Sequence, residues 1–391
     1  MRDNSVDAFF ALMRAGLFPV HGEGVKVNES LFCDVDWEKV YQLAQEQSVQ
    51  GLVLQGIETV QGSWLKVHGS PLVPKVLLLQ WIGEVQMIEQ QNKDMNAFVS
   101  ELFEKLRVQG INALLVKGQG VAQCYEKPLW RTSGDVDLLL GKDEYTQAKA
   151  FLIPLGRMTE PEEVGKKHLA LNIDGWTVEL HGTLHCGLSR RVDKLLDAVQ
   201  ENAFGGKKSV GRSESTRVWR NGDTDVPLLP AENDAFYVFV HILQHFYKGG
   251  IGLRQICDWC RLLYAYRGTL DYVLLERWIR EAGLIDEWSA FGNFAVSYLG
   301  MPPNAMPLYA DSAKWTKKAD KIGEFIIEVG DFGQNRDNSY FQKHSYLVRK
   351  CISAWRRVKD LCRHARIFPA NSFRFFCGIT YNGMVSVMRG E

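Results

Sequence analysis

The run Asp135-Val136-Asp137-Leu138-Leu139-Leu140 puts two carboxylates one residue apart at the start of an apolar strand. Side chains alternate along an extended chain, so Asp135 and Asp137 share one face while Val136, Leu138 and Leu140 fall on the other. Carboxylates placed like this repel each other unless a cation lies between them, so the pair predicts a hard-cation site. Mg²⁺ suits it best, because that ion takes one or two protein carboxylates and completes its octahedron with water and substrate phosphates.

Asp-x-Asp occurs three times in the chain, and context separates the copies. Asp34-Val35-Asp36 precedes Trp37-Glu38-Lys39-Val40, where an acidic residue caps a helix start. Asp223-Thr224-Asp225 sits in the polar run Arg220-Asn221-Gly222-Asp223 and reads as a turn. Only the middle copy opens an apolar strand downstream of another strand, Leu114-Leu115-Val116, which runs into the turn Lys117-Gly118-Gln119-Gly120.

A third carboxylate follows. The segment Leu169 to His181 reads as two short strands about Asp174-Gly175, the strongest short hairpin signal. In its second arm Trp176, Val178 and Leu180 form one face and Thr177, Glu179 and His181 the other, so that polar face is able to lie beside the Asp pair. Taken alone, the arm also fits an edge strand with one solvated face.

These residues resemble the nucleotidyltransferase superfamily that shares a catalytic fold with DNA polymerase β. The likeness is closest to a bacterial family called uncharacterised nucleotidyltransferases. It is carried by Lys117-Gly118, Gly120-Val121-Ala122, Tyr125, Arg131, Asp135-Val136-Asp137 and Glu179-Leu180-His181. It spans about residues 75 to 270 and extends to His241, His245, Arg254 and Asp258 in the helical C-terminal half.

The resemblance implies an α+β fold, a small mixed-sheet core flanked by helical regions, and in-line transfer of a nucleoside monophosphate from an NTP to a hydroxyl of a small-molecule or protein acceptor. It also implies two Mg²⁺ ions held by Asp135, Asp137 and Glu179, with Glu179 as proton acceptor. Lys117 and Arg131 would lie near phosphate oxygens, and Gly118, Gln119 and His181 would complete the nucleotide-binding set. For Arg131, pairing with a neighbouring acid is the competing reading. The chain departs from most of the superfamily in having Lys-Gly-Gln where Gly-Ser or Gly-Gly is usual, so no serine hydroxyl is offered to the phosphates. A catalytically weak nucleotide-binding or regulatory protein that retains the fold is the alternative.

Three regions position this chemistry: a helical stretch over 1–108, strands and acids over 109–228, and helices again over 229–391. Pro74 opens a long helix ending near Gln109-Gly110, with Val76, Leu79, Ile82, Val85 and Ile88 as its apolar stripe. In the C-terminal region His241-x-x-x-His245 and Cys257-x-x-Cys260 have zinc-compatible spacing, but both pairs fall in apolar helical patterns where such residues are ordinarily core. Arg254 and Asp258, four apart, read as a helix ion pair or a wall of the substrate cleft. Lys343 to Arg374 interleaves basic and aromatic residues and reads as an amphipathic helix whose Arg stems cover its rim.

With 46 basic and 46 acidic residues among 391, the net charge is zero, which leaves no electrostatic footprint for a long nucleic acid. No apolar run approaches the ~20 residues that span a bilayer. Ala8 to Met13 is cut short by Arg14 and follows Asp3 and Asp7, unlike a secretory segment. Eight scattered cysteines require no disulfide framework, and a cytoplasmic location is the expectation.

Overall fold

In the computed structural model the described residues are 4–19, 28–163, 165, 167–205, 216–330 and 346–389. The α+β architecture expected from sequence is present: a single seven-stranded mixed sheet with helices before and after it. Its strands are β1 (Ala113–Val116), β2 (Asp135–Leu140), β3 (Arg157–Met158), β4 (His168–Ile173), β5 (Trp176–His181), β6 (Arg217–Asn221) and β7 (Thr224–Leu228), in the order β3-β4-β5-β2-β1-β7-β6.

The centre of the sheet decides where the acids go. β1 and β2 are antiparallel, with Val116 opposite Asp137, whereas β2 and β5 are parallel, with Asp137 opposite Glu179. β4 and β5 form the expected hairpin. Asp174 and Gly175 both take positive φ, 50° and 89°, as a two-residue turn between Ile173 and Trp176 requires.

Helices α1 (Asn4–Leu17), α2 (Trp37–Glu46), α3 (Gln50–His68) and α4 (Lys75–Val108) precede the sheet. Asp36 caps α2 by accepting from the Lys39 N–H at 3.2 Å, the role its context suggested. The third Asp-x-Asp likewise lies at a turn: Gly222-Asp223 joins β6 to β7. In α4 the buried stripe departs from the expected one over the first turns and rejoins it at Val85. Leu77, Trp81 and Val85 are buried, while Val76 is 82% and Leu79 60% exposed. Both stripes have helical spacing, and the one holding Trp81 wins because its large indole fills the core and donates to the Gln50 carbonyl at 3.0 Å.

Within and after the sheet come α5 (Gly118–Ala122), α6 (Lys142–Leu152), α7 (Arg190–Ala203), α8 (Ala231–Lys248), α9 (Leu253–Ala265), α10 (Tyr272–Ala282), α11 (Ile285–Ser297), α12 (Ala313–Val329), α13 (Tyr346–Ala365) and α14 (Pro369–Arg389).

The two faces of the sheet join different cores. Val136, Leu138, Leu140, Val178 and Leu180 pack with Met95, Val99 and Leu102 of α4 and with Ala148 and Leu152 of α6. Leu114, Val116 and Leu139, on the other face, belong to a larger core shared by α1–α3 and by the helices from α7 onward. Polar ties cross that core: Arg261 donates to the Leu17 carbonyl at 2.6 Å, and Gln47 accepts from the Leu253 N–H at 2.9 Å. The acids stand on this second face, so helices from both ends of the chain surround them.

Of the basic C-terminal stretch, Lys343 lies outside the described residues. In place of the single amphipathic helix expected, the stretch enters two helices, α13 and α14; Ile367 and Phe368 at the break between them and Phe375 on α14 are buried against the Phe246 cluster, while Trp355 on α13 is exposed. No helix among the described residues is long and apolar enough to cross a membrane.

Candidate functional site

Strand alternation and register together assemble the site. Asp135 and Asp137 project from β2, and Glu179 and His181 project from the same face of β5 beside them. Oxygens of Asp135, Asp137 and Glu179 all lie within 4.8 Å of one another. Asp137 is the deepest, at 2% exposure.

Each carboxylate has different company. Lys117 Nζ lies 2.7 Å from Asp137 Oδ1, and His181 Nε2 lies 2.8 Å from the same oxygen. Burial disfavours charge on Asp137, but Lys117 and His181 outweigh it and hold its pKa below the usual value. Asp135 is displaced upward, first by its neighbour Asp137 and then by burial. Glu179 accepts from His168 Nε2 at 3.2 Å, and His181 Nε2, committed to Asp137, lies 3.4 Å from the same Oε2; these two imidazoles hold it well below the carboxylate range against the effect of burial. Burial pulls the pKa values of Lys117 and His181 down, yet the carboxylates raise both.

The turn before the acids is strained. Lys117 adopts φ 55° and ψ −145°, a region that residues with a Cβ rarely enter and that costs on the order of 1–3 kcal/mol. Gly118 follows at φ 39°, where its missing side chain is an advantage. This backbone turns the Lys117 ammonium back over β2, and the ring centroid of Tyr237 on α8 is 5.8 Å from Nζ. Gln119 points inward instead. Its buried carboxamide donates to Asn92 Oδ1 at 3.0 Å, and Asn92 donates in turn to the carbonyls of Leu129 and Arg131 at 2.8 Å each. The side chain expected among the nucleotide contacts therefore braces the segment that leads into β2.

The family model described as "uncharacterised nucleotidyltransferase" matches residues 34–291, well over half of the chain. The chain belongs to that family. The match reaches beyond the span expected from the motifs, taking in α2 at one end and most of α11 at the other. Among curated proteins and among solved structures, none matches the chain.

In this nucleotidyltransferase-family chain Arg131 takes the acid-pairing reading of the two open to it, the C-terminal cysteines are core as expected, and Arg254 and Asp258 do not pair with each other. Arg131 spends its fork on Asp258 of α9, with Nε–Oδ1 and Nη2–Oδ2 both at 2.7 Å, and Tyr125 donates to Oδ1 at 2.8 Å. Asp258 is therefore held by Arg131 across 127 residues and not by Arg254 one turn away. Arg254 donates to the Thr132 carbonyl at 3.0 Å, and its charge acts on Asp135. Cys257 and Cys260 are buried with thiol pKa values raised by burial, and neither falls in a metal-competent cluster among the described residues. His241 and His245 meet each other, Nε2 to Nε2 at 3.0 Å, on the α8 wall near Lys117.

Three contributors escaped sequence reasoning. Asn92 and Tyr237 lie in helices whose polar or aromatic residues look ordinary. His168 was within reach, because a two-residue turn joining Ile173 to Trp176 places His168 opposite His181 when the hairpin is counted backward.

Proposed function

We propose that this protein transfers a nucleoside monophosphate from an NTP to a hydroxyl of a small-molecule or protein acceptor. The observation that carries the proposal is the convergence of the Asp135, Asp137 and Glu179 oxygens within 4.8 Å on one sheet face, in a chain of a nucleotidyltransferase family. That donor set fits Mg²⁺: all oxygen, and too few protein ligands to exclude water and phosphate. The three residues would hold the metal, two ions by the family resemblance, which supplies charge neutralisation at phosphate and a lowered pKa for an acceptor hydroxyl.

The chain's own residues supply position and electrostatics. Lys117 is a half-buried point charge at the mouth of the turn and is suited to a phosphate oxygen once Asp137 has another partner. Arg254 adds positive potential beside Asp135. Arg131, closed on Asp258, acts as a positioning residue for the loop Arg131-Thr132-Ser133 that delivers Asp135. Glu179, kept ionised by His168 and His181, is better suited to holding a cation than to accepting a proton at neutral pH.

One observation favours the alternative, a catalytically weak binding or regulatory protein: Lys117 and His181 already neutralise Asp137. Calorimetry with ATP, GTP, CTP and UTP, with and without Mg²⁺, tests the nucleotide site, and transfer of an α-³²P label tests catalysis. Binding that needs Mg²⁺ and is lost in Asp135→Asn and Asp137→Asn is the expected result. Equal Mg²⁺-nucleotide affinity in wild type and both variants sinks the metal-site reading, whereas binding without label transfer favours the weak-binder reading.

A further inference from the structure

We infer that His168, Glu179 and His181 form a second metal site, selective for a first-row transition ion over Mg²⁺. His168 and His181 are direct cross-strand partners on β4 and β5, and Glu179 stands two residues before His181 on the same face. The hairpin therefore delivers two imidazole nitrogens and one carboxylate oxygen to a single point. The three ligand atoms lie within 4.8 Å of one another, with Nε2–Oε2 separations of 3.2 Å from His168 and 3.4 Å from His181.

Those separations match the edges of a coordination polyhedron. Metal–nitrogen and metal–oxygen bonds of about 2.0–2.2 Å place tetrahedral ligands roughly 3.3 Å apart and octahedral ones roughly 3 Å apart. The three side chains are partly exposed, so water or substrate is able to fill the remaining coordination positions. Asp137 Oδ1, 2.8 Å from His181 Nε2, supplies a fourth donor at the edge of the same group.

The donor types decide the ion. Mg²⁺ gains little from imidazole, whereas Mn²⁺, Fe²⁺, Co²⁺ and Zn²⁺ bind two histidines and a carboxylate readily, with affinity rising toward Zn²⁺. The pair on α8 supplies an internal contrast: His241 and His245 meet Nε2 to Nε2 at 3.0 Å, yet no metal-competent cluster among the described residues includes them. The site shares Glu179 with the carboxylate site proposed above but needs no nucleotide, so the two readings fail separately.

Co²⁺ reports the ligand set directly. Titrating the purified full-length protein with Co²⁺ in the absence of nucleotide is expected to show a visible absorption band saturating at one nitrogen-ligated ion per chain. His168→Gln is expected to weaken that binding by at least ~10-fold, the loss that even a supporting hydrogen bond to a ligand causes. Asp135→Asn is expected to retain the band. Pulsed EPR of the Mn²⁺-loaded wild type, reading ¹⁴N couplings, requires no variant and guards against a misfolded one. Unchanged Co²⁺ affinity in both His168→Gln and His181→Gln, or Mn²⁺ with no ¹⁴N coupling, overturns the site. Retained Co²⁺ binding with no Mg²⁺-dependent nucleotide binding would instead remove the nucleotidyl-transfer reading and leave this one standing.

Discussion

Lys117–Asp137, half-buried on its lysine side, and the buried pair Arg131–Asp258 both place a nitrogen 2.7 Å from a carboxylate oxygen, yet they are built for different ends. Arg131 meets Asp258 with two parallel hydrogen bonds, Tyr125 adds a third, and Ser133 Oγ accepts from the remaining guanidinium nitrogen at 3.0 Å. Planar geometry and saturated partners make such a pair a fixed joint. Lys117 meets Asp137 through one ammonium, on an oxygen it shares with His181, beside two more carboxylates. A point charge with competing partners is exchangeable. The difference separates a contact that positions a loop from one that an incoming cation or phosphate is able to replace.

The largest effect is expected from breaking the closed pair. Arg131→Met leaves Asp258 buried without its counter-charge and should destabilise the fold by about 3–5 kcal/mol. Urea unfolding should show a lowered midpoint with an unchanged slope. A shift below about 1 kcal/mol would mean that Tyr125 and solvent suffice for Asp258, and the contrast between the two pairs would collapse.

The open pair should divide its own two aspartates. Asp137→Asn removes the negative charge that Lys117 and His181 share, leaving at most a neutral amide oxygen, and should cost about 1–3 kcal/mol, less than the Arg131 change because Asp135 and Glu179 still offer negative charge. Asp135→Asn should act in the opposite direction. The folded state raises the pKa of Asp135, so what this group contributes is fully present below its unfolded pKa and is lost as pH rises through the folded one. At pH 7 the ionised Asp135 is therefore a net cost, and its removal should hold or raise the melting temperature without metal, with the gain fading toward pH 3. Thermal melts of both variants between pH 3 and 7 check the sign. Equal destabilisation by the two substitutions would show that β2 carries no repulsive pair.

How much of this was legible in advance follows the range of the forces. Strand alternation and a two-residue turn are local, so the shared face of Asp135 and Asp137, the hairpin at Asp174-Gly175 and the common face of Glu179 and His181 could be read from residue order, whereas the parallel pairing of β2 with β5 that brings the two faces together is long-range and could not. His168 was equally local and was missed only because the register was not counted back from the turn. Arg131–Asp258 spans 127 residues, and nothing in a single sequence ties the two. The α4 stripe failed for another reason: Val76-Leu79 and Leu77-Trp81 satisfy the same period, and only the tertiary partner Gln50 distinguishes them. Gln119 stands where the family resemblance placed a nucleotide contact, and the polar partner that turns it inward, Asn92, is 27 residues away.

The smallest expected effect is the sharpest test of exchangeability. Lys117→Ala removes the ammonium from Asp137, and two consequences compete. If the lysine moves to phosphate when nucleotide binds, the variant should bind Mg²⁺-nucleotide more weakly, and the deficit should shrink between 0.05 and 0.5 M salt, where the screening length falls from roughly 14 Å to 4 Å. If it serves only to neutralise Asp137, the melting temperature should drop while the affinity deficit stays independent of salt. The backbone favours the first outcome, since a strained φ of 55° at Lys117 is a costly way to hold a purely structural charge that a residue on a relaxed strand would supply as well. Measuring melting temperature and salt-dependent affinity on the one variant decides between a resident counter-ion and a phosphate ligand in waiting.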